Sequence, residues 1–193
     1  MASVSCHLSE VLLTFLRAEL DSPTERSRLL ACLARLSIDE SMLISDDDLD
    51  AYAIFQDYRG REPIFTGLDW WALSWSRQMM TEVEIIQSVS TCRHNFQARY
   101  GTRKLNEVVD QLDDTTRAEL RGVVQRLKVD TLEPPIVVRA PGSPQAVIVE
   151  GHNRMMGYLL YPDAVNWPIT VMVGTGASIT SWVEWPGSDG DVE

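Results

Sequence analysis

Glu150-Gly151-His152-Asn153-Arg154 brings together residue types that suit phosphate chemistry. The run follows a β-branched stretch, Ala146 to Val149, and precedes one of helical character, Met155 to Leu160. A strand that ends in Glu-Gly and turns directly into a helix leaves the first backbone N–H groups of that helix without intrahelical partners, beside the positive end of its dipole. Such a corner holds anions. Gly151 lets the backbone approach a ligand, and His152, Asn153 and Arg154 add polar groups around it. Glu150 supplies a carboxylate, a candidate base or metal partner, so Glu150 and His152 are the candidate catalytic residues. The plainer reading of the same residues is a glycine turn followed by a solvated arginine.

A second basic group lies in Asn95 to Lys104. Thr102 and Arg103 are candidates for a phosphate or carboxylate, because guanidinium groups recognise such anions with two parallel hydrogen bonds. A turn followed by a solvated charge explains them equally well. Arg59 and Arg61 stand in a Gly- and Pro-punctuated loop, from which either can reach a ligand. Gly174-Thr175-Gly176 lacks the Lys-Ser/Thr partner of a phosphate loop. Cys6, Cys32 and Cys92 have no metal-ligand spacing, and their odd number argues against a disulfide framework. No metal-ligand set is expected.

The elements that must position these groups follow from periodicity. Leu8, Val11, Leu12, Phe15, Leu16 and Leu20 recur at helical spacing, and Ser22-Pro23-Thr24-Glu25 reads as the capped start of a second helix through Leu29, Leu33 and Leu36. This hairpin either packs on the core or forms a dimer interface. Ser45 is placed as the cap of a helix through Leu49, Tyr52 and Phe55 with Asp46 to Asp48 in its first turn, in preference to a metal loop. Leu68 to Trp75, with three of the six tryptophans, suits a core edge or a pocket wall. Met80 to Ile86 alternates polar and apolar residues and predicts a strand. Asp114 is expected to cap a helix bearing Leu120, Val123, Val124 and Leu127.

The 193 residues, 45% hydrophobic, suffice for one good core. Twenty-eight acidic and 17 basic residues give a net charge of −11, which opposes nonspecific attraction to nucleic acid. The charge is −7 over residues 1–57, +1 over 58–110 and −5 over 111–193. The central third is thus the expected source of anion-facing arginines. The start of the chain lacks a signal-like pattern and no run approaches membrane-spanning length, so a cytoplasmic protein with no membrane partner is expected.

Pro135 to Arg139, the turn Pro141-Gly142-Ser143-Pro144, the strand Gln145 to Val149, Glu-Gly-His-Asn-Arg, a helix and Trp167 to Gly174 together resemble the core of the ParB/sulfiredoxin superfamily. The resemblance covers roughly residues 120–174 well and the upstream half loosely. It implies an α+β fold, a small mixed sheet with surrounding helices: an N-terminal helical extension over 1–57, the ParB/sulfiredoxin-like domain over 58–180 and a tail over 181–193. It also implies that the Gly-His-x-Arg type motif binds the phosphates of ATP or another nucleotide with Mg2+. Members include CTP-hydrolysing partition proteins, ATP-dependent sulfiredoxins and kinases of small molecules such as free serine. In the kinase members an acidic residue outside the motif activates the acceptor, and Glu82 and Glu84 are candidates by location. No cysteine stands between Gly151 and Arg154, which argues against sulfinic acid reduction. A single arginine replaces the paired arginines of the partition proteins. The expectation is a phosphotransferase or nucleotide hydrolase acting on a small-molecule acceptor; the alternative is a nucleotide-sensing or DNA-associated regulator without turnover.

Overall fold

The computed structural model describes residues 3–45, 50–60, 62, 65, 67–91, 94–127, 132–182 and 184–185. The chain first forms a short strand β1 (Val4–Ser5), then α1 (Leu8–Leu20), α2 (Arg26–Arg35), α3 (Met42–Ser45) and α4 (Ala51–Tyr58). Next come β2 (Ser74–Met80), α5 (Glu82–Ser88), β3 (Val89–Thr91), α6 (His94–Tyr100), α7 (Leu105–Asp110) and α8 (Asp114–Leu127). The last third supplies β4 (Ile136–Arg139), β5 (Ala146–Glu150), α9 (His152–Leu160) and β6 (Ile169–Thr175). The strands form one mixed sheet in the order β1-β2-β6-β4-β5-β3. The class is α+β.

β4 and β5 make the expected hairpin, with Val138 opposite Val147. Its turn needs a left-handed residue, supplied by Gly142 at φ 72°, and Ser143 N–H donates to the Ala140 carbonyl at 3.1 Å. β6 lies parallel to β4 on one side, and β3 lies parallel to β5 on the other. These central strands are apolar on both faces because helices cover both faces. Ile136, Val138, Val147, Val149 and Met172 join α1 to α4 in one cluster, whereas Val137, Ile148, Val171 and Val173 join residues of α5, α7, α8 and α9 in a second. Helices α1 to α4 are therefore a layer of this fold: Phe15 is fully buried and meets Phe55 edge-on at 5.2 Å between ring centres. That is the core-packing use of the hairpin.

The aromatic stretch divides by side. Trp70 and Trp75 are buried and stacked at 5.6 Å, while Trp71 is 67% exposed. Trp75 lies opposite Gly174, where an added Cβ would come within 2.7 Å of the indole, so this glycine makes room for a ring. Among the described residues no helix is long and apolar enough to cross a membrane.

Four local expectations are corrected. Met80 to Ile86 is not a strand: β2 ends at Met80 and α5 begins at Glu82. The reason is a capping box, in which Thr81 N–H donates to Glu84 Oε2 at 2.7 Å and Glu84 N–H donates to Thr81 Oγ1 at 3.3 Å. Ser22 to Glu25 form a turn ahead of α2, because Glu25 is drawn to Arg59 and Arg28 rather than back onto the helix start. Ser45 ends α3, and the cap of α4 is Asp50, which accepts from Ala53 N–H at 3.0 Å; Asp46 to Leu49 lie outside the described residues. Finally, α8 is capped by Asp113, one residue earlier than expected, through a 2.8 Å bond from Thr116 N–H. The expected tail starts as structure, since Trp182 and Trp185 are buried; residues 186–193 lie outside the description.

Candidate functional site

β5 ends at Glu150, and the next residue turns the chain. Gly151 has φ 93° and ψ 24°, a left-handed conformation that L side chains rarely adopt. A Cβ there would also stand 3.0 Å from the Pro135 Cβ. α9 then starts at His152 with no side-chain cap, and its first backbone bond runs from Met155 N–H to the Gly151 carbonyl at 2.9 Å. Among the described residues the amides of Asn153 and Arg154 donate to no protein group. These are the orphan donors that a helix start offers to an anion.

The corner opens into a cavity of about 220 Å3, lined by Glu150 to Arg154 on one side and by the α1–α2 turn on the other. Arg154 is almost buried. It donates to Glu150 Oε1 at 2.8 Å and to the backbone carbonyl of Glu133, which fixes the guanidinium plane at the helix start. His152 is 3% exposed and its ring meets Phe96 edge-on, so most of its imidazole is packed into the protein. Asn153 is exposed at the cavity rim.

The facing wall adds groups that the sequence reading did not select. Glu19 is buried in α1 at 4% exposure, and the Tyr58 hydroxyl is shared between Glu19 Oε2 at 2.8 Å and Glu25 Oε2 at 3.1 Å. Arg59, the residue that follows α4, reaches Glu25 at 2.8 Å and Glu19 at 3.2 Å. Burial, followed by the charge of Glu150 across the cavity, pushes the Glu19 carboxyl up to about 7, against the opposing pull of Arg59 and Tyr58. A carboxyl poised near neutrality serves proton transfer. Its signal was present in the sequence: Glu19 falls on the face of α1 that carries Leu12, Phe15 and Leu16, where an acid is costly unless paired.

The other candidates lie apart from this cavity. Arg103 is buried and donates to Glu184 Oε2 at 3.0 Å and to the Glu184 carbonyl at 2.9 Å. Thr102 Oγ1 donates to Glu107 Oε2 at 2.6 Å. Neither lines the corner cavity. Glu84 is spent on the capping box, which holds its carboxyl below the usual range, and Glu82 sits beside it in the first turn of α5. Of the two loop arginines, Arg59 reaches the cavity, and Arg61 lies outside the described residues. So does Cys92.

The walls carry Glu19, Asp21, Glu25 and Glu150 against Arg59, Arg126 and Arg154. Acidic and basic groups are thus nearly balanced, and a bare polyanion gains little from the side chains alone. Among the described residues no group of three His, Cys, Asp or Glu side chains could hold a metal ion by itself. A divalent ion would fit here only through oxygens shared between one or two carboxylates and a bound phosphate. No family model matches the chain, and neither a curated protein nor a solved structure matches it.

Proposed function

We propose that the chain is a nucleotide-binding protein of ParB/sulfiredoxin type that transfers or hydrolyses a phosphoryl group. The observation that carries this reading is the left-handed Gly151, which turns the free amides of α9 into a walled cavity. At about 220 Å3 the cavity is smaller than the several hundred Å3 of a typical drug-sized site, which suits phosphate groups and not a whole nucleotide. ATP or another nucleotide would place its phosphates against the amides of Asn153 and Arg154. Glu150 and Glu19 are the carboxylates that would face Mg2+ brought in with the nucleotide, which would supply charge neutralisation for the phosphates.

Each side chain has a distinct part in this reading. Arg154, held in plane by Glu150 and the Glu133 carbonyl, offers positive charge at the helix start. Glu150, at the strand end, is the base or the metal partner. Glu19 takes or returns a proton near neutral pH, and Tyr58 and Arg59 orient it. In this reading the acceptor is a small molecule.

The test is calorimetric titration with ATP, ADP and CTP in the presence of Mg2+, on the intact protein, on Arg154→Ala and on the exposed control Arg99→Ala. A hydrogen bond to a charged group is worth about 1.5–3 kcal/mol, so Arg154→Ala is expected to weaken binding roughly 10- to 100-fold while the control does not. Thermal melts establish that the variant is folded. If no nucleotide binds the intact protein, or if Arg154→Ala binds as tightly as wild type, the reading is wrong. Given binding, Glu150→Gln is expected to retain nucleotide and lose turnover.

A further inference from the structure

A second and larger cavity, about 710 Å3, is lined by Glu133, whose backbone carbonyl holds Arg154; Leu132 lines both cavities. Its size falls within the range of small-molecule sites. Tyr158 lines it from α9, one turn beyond Arg154. That tyrosine is only 4% exposed, and among the described residues its hydroxyl makes no hydrogen bond. A phenol so deeply buried usually finds a partner, and here the surface it retains faces the cavity.

Two carboxyl groups share the lining, Glu133 and Asp163, and among the described residues neither makes a hydrogen bond. Glu133 is half-buried, and desolvation raises its carboxyl above the ordinary range even though Arg17 and Arg154 pull it down. The one cation in the lining is Arg77, and it is already joined to Glu10 at 2.6 Å. Pro134, Val165 and Pro168 add apolar surface to the same lining. The cavity therefore combines carboxylate acceptors, a hydroxyl and hydrocarbon in one lining.

We infer that this cavity is a binding site for a small aliphatic amine, whose ammonium groups bond to Glu133 and Asp163 and whose chain lies on the apolar wall beside Tyr158. An ammonium donates three hydrogen bonds and accepts none, which complements an acceptor-rich lining. An anion finds little to hold it, since Arg77, the one guanidinium in the lining, is already paired with Glu10. The inference stands independently of the nucleotide reading, because it uses none of the corner amides.

The experiment titrates the full chain by calorimetry with three probes of equal chain length: 1,5-diaminopentane, pentane-1,5-diol and glutarate. The diamine is expected to bind saturably with one site, the diol at least about tenfold more weakly and glutarate not at all. Glu133→Gln and Asp163→Asn are each expected to weaken the diamine about tenfold, and Tyr158→Phe, which keeps the ring, several-fold. Glu119→Gln on the exposed face of α8 is the control for diffuse attraction to an acidic protein and is expected to change nothing. Absence of saturable diamine binding overturns the inference. So does diamine binding that Glu133→Gln and Asp163→Asn leave intact, since the amine is then held by net charge elsewhere.

Discussion

At the scale of single residues, the site turns on how an acid tolerates burial. Glu19 is surrounded by α1 packing on one side and by Tyr58, Glu25 and Arg59 on the other. Its carboxyl is raised to about 7 from an unfolded value near 4.5, so the folded state holds the proton more strongly than the unfolded chain. The stability this contributes is fully present below about pH 4.5 and is lost as pH rises to about 7. The loss is expected to be on the order of 3 kcal/mol. Urea unfolding of wild type and Glu19→Gln at several values between pH 4.5 and 8 checks this. The difference between the two proteins should change with pH in that window, and a constant difference would place the carboxyl outside the described environment. Arg154 shows the complementary case, a buried cation kept in place by a carboxylate and a carbonyl. The residue reading found Arg154, Glu150 and Gly151 together because they are contiguous in the chain. It missed Glu19, which reaches the cavity from a helix more than ninety residues away in sequence, and Tyr58, whose hydroxyl donates to it.

At the scale of elements, the decisive competition was between two periodicities in Met80 to Ile86. Alternation of polar and apolar residues favours a strand. Thr81 and Glu84 instead close reciprocal hydrogen bonds around the first turn of a helix, and Ile85 is then fully buried from α5. Local capping chemistry outweighed a seven-residue pattern. Thr81→Ala is expected to lower stability by about 1 kcal/mol through loss of the cap, measured by thermal or urea unfolding. An unchanged midpoint would mean that tertiary packing alone holds α5. The β4–β5 hairpin and α9 were easier to read, since Pro and Gly punctuate the turn and β-branched runs flank it.

At the scale of the whole molecule, both faces of the sheet are covered, and α1 to α4 cover one of them. Phe15 joins α1 to α4 through edge-on rings, within the same cluster as Ile136 and Val147 of the sheet. Phe15→Ala is expected to cost about 3–5 kcal/mol and to lower a single cooperative transition. Calorimetry that instead resolves two transitions, with only one of them shifted, would show that the helices melt apart from the sheet. The same layer supplies the far wall of the corner cavity, so its integrity and ligand binding are expected to fail together.

The sequence by itself determined the local pieces whose chemistry is written in adjacent residues: the apolar face of α1, the Pro-Gly hairpin turn, the strand that ends in Glu-Gly and the left-handed turn into α9. These depend on spacing and backbone preference within a few residues. Only the tertiary structure decided what faces that turn. It joined Arg103 to Glu184 across 81 positions and kept it off the cavity, and it brought Glu19 and Arg59 opposite Glu150. The physical reason is that a buried charge is tolerated only beside a partner, and which partner lies within reach is set by the packing of layers, not by neighbours in the chain.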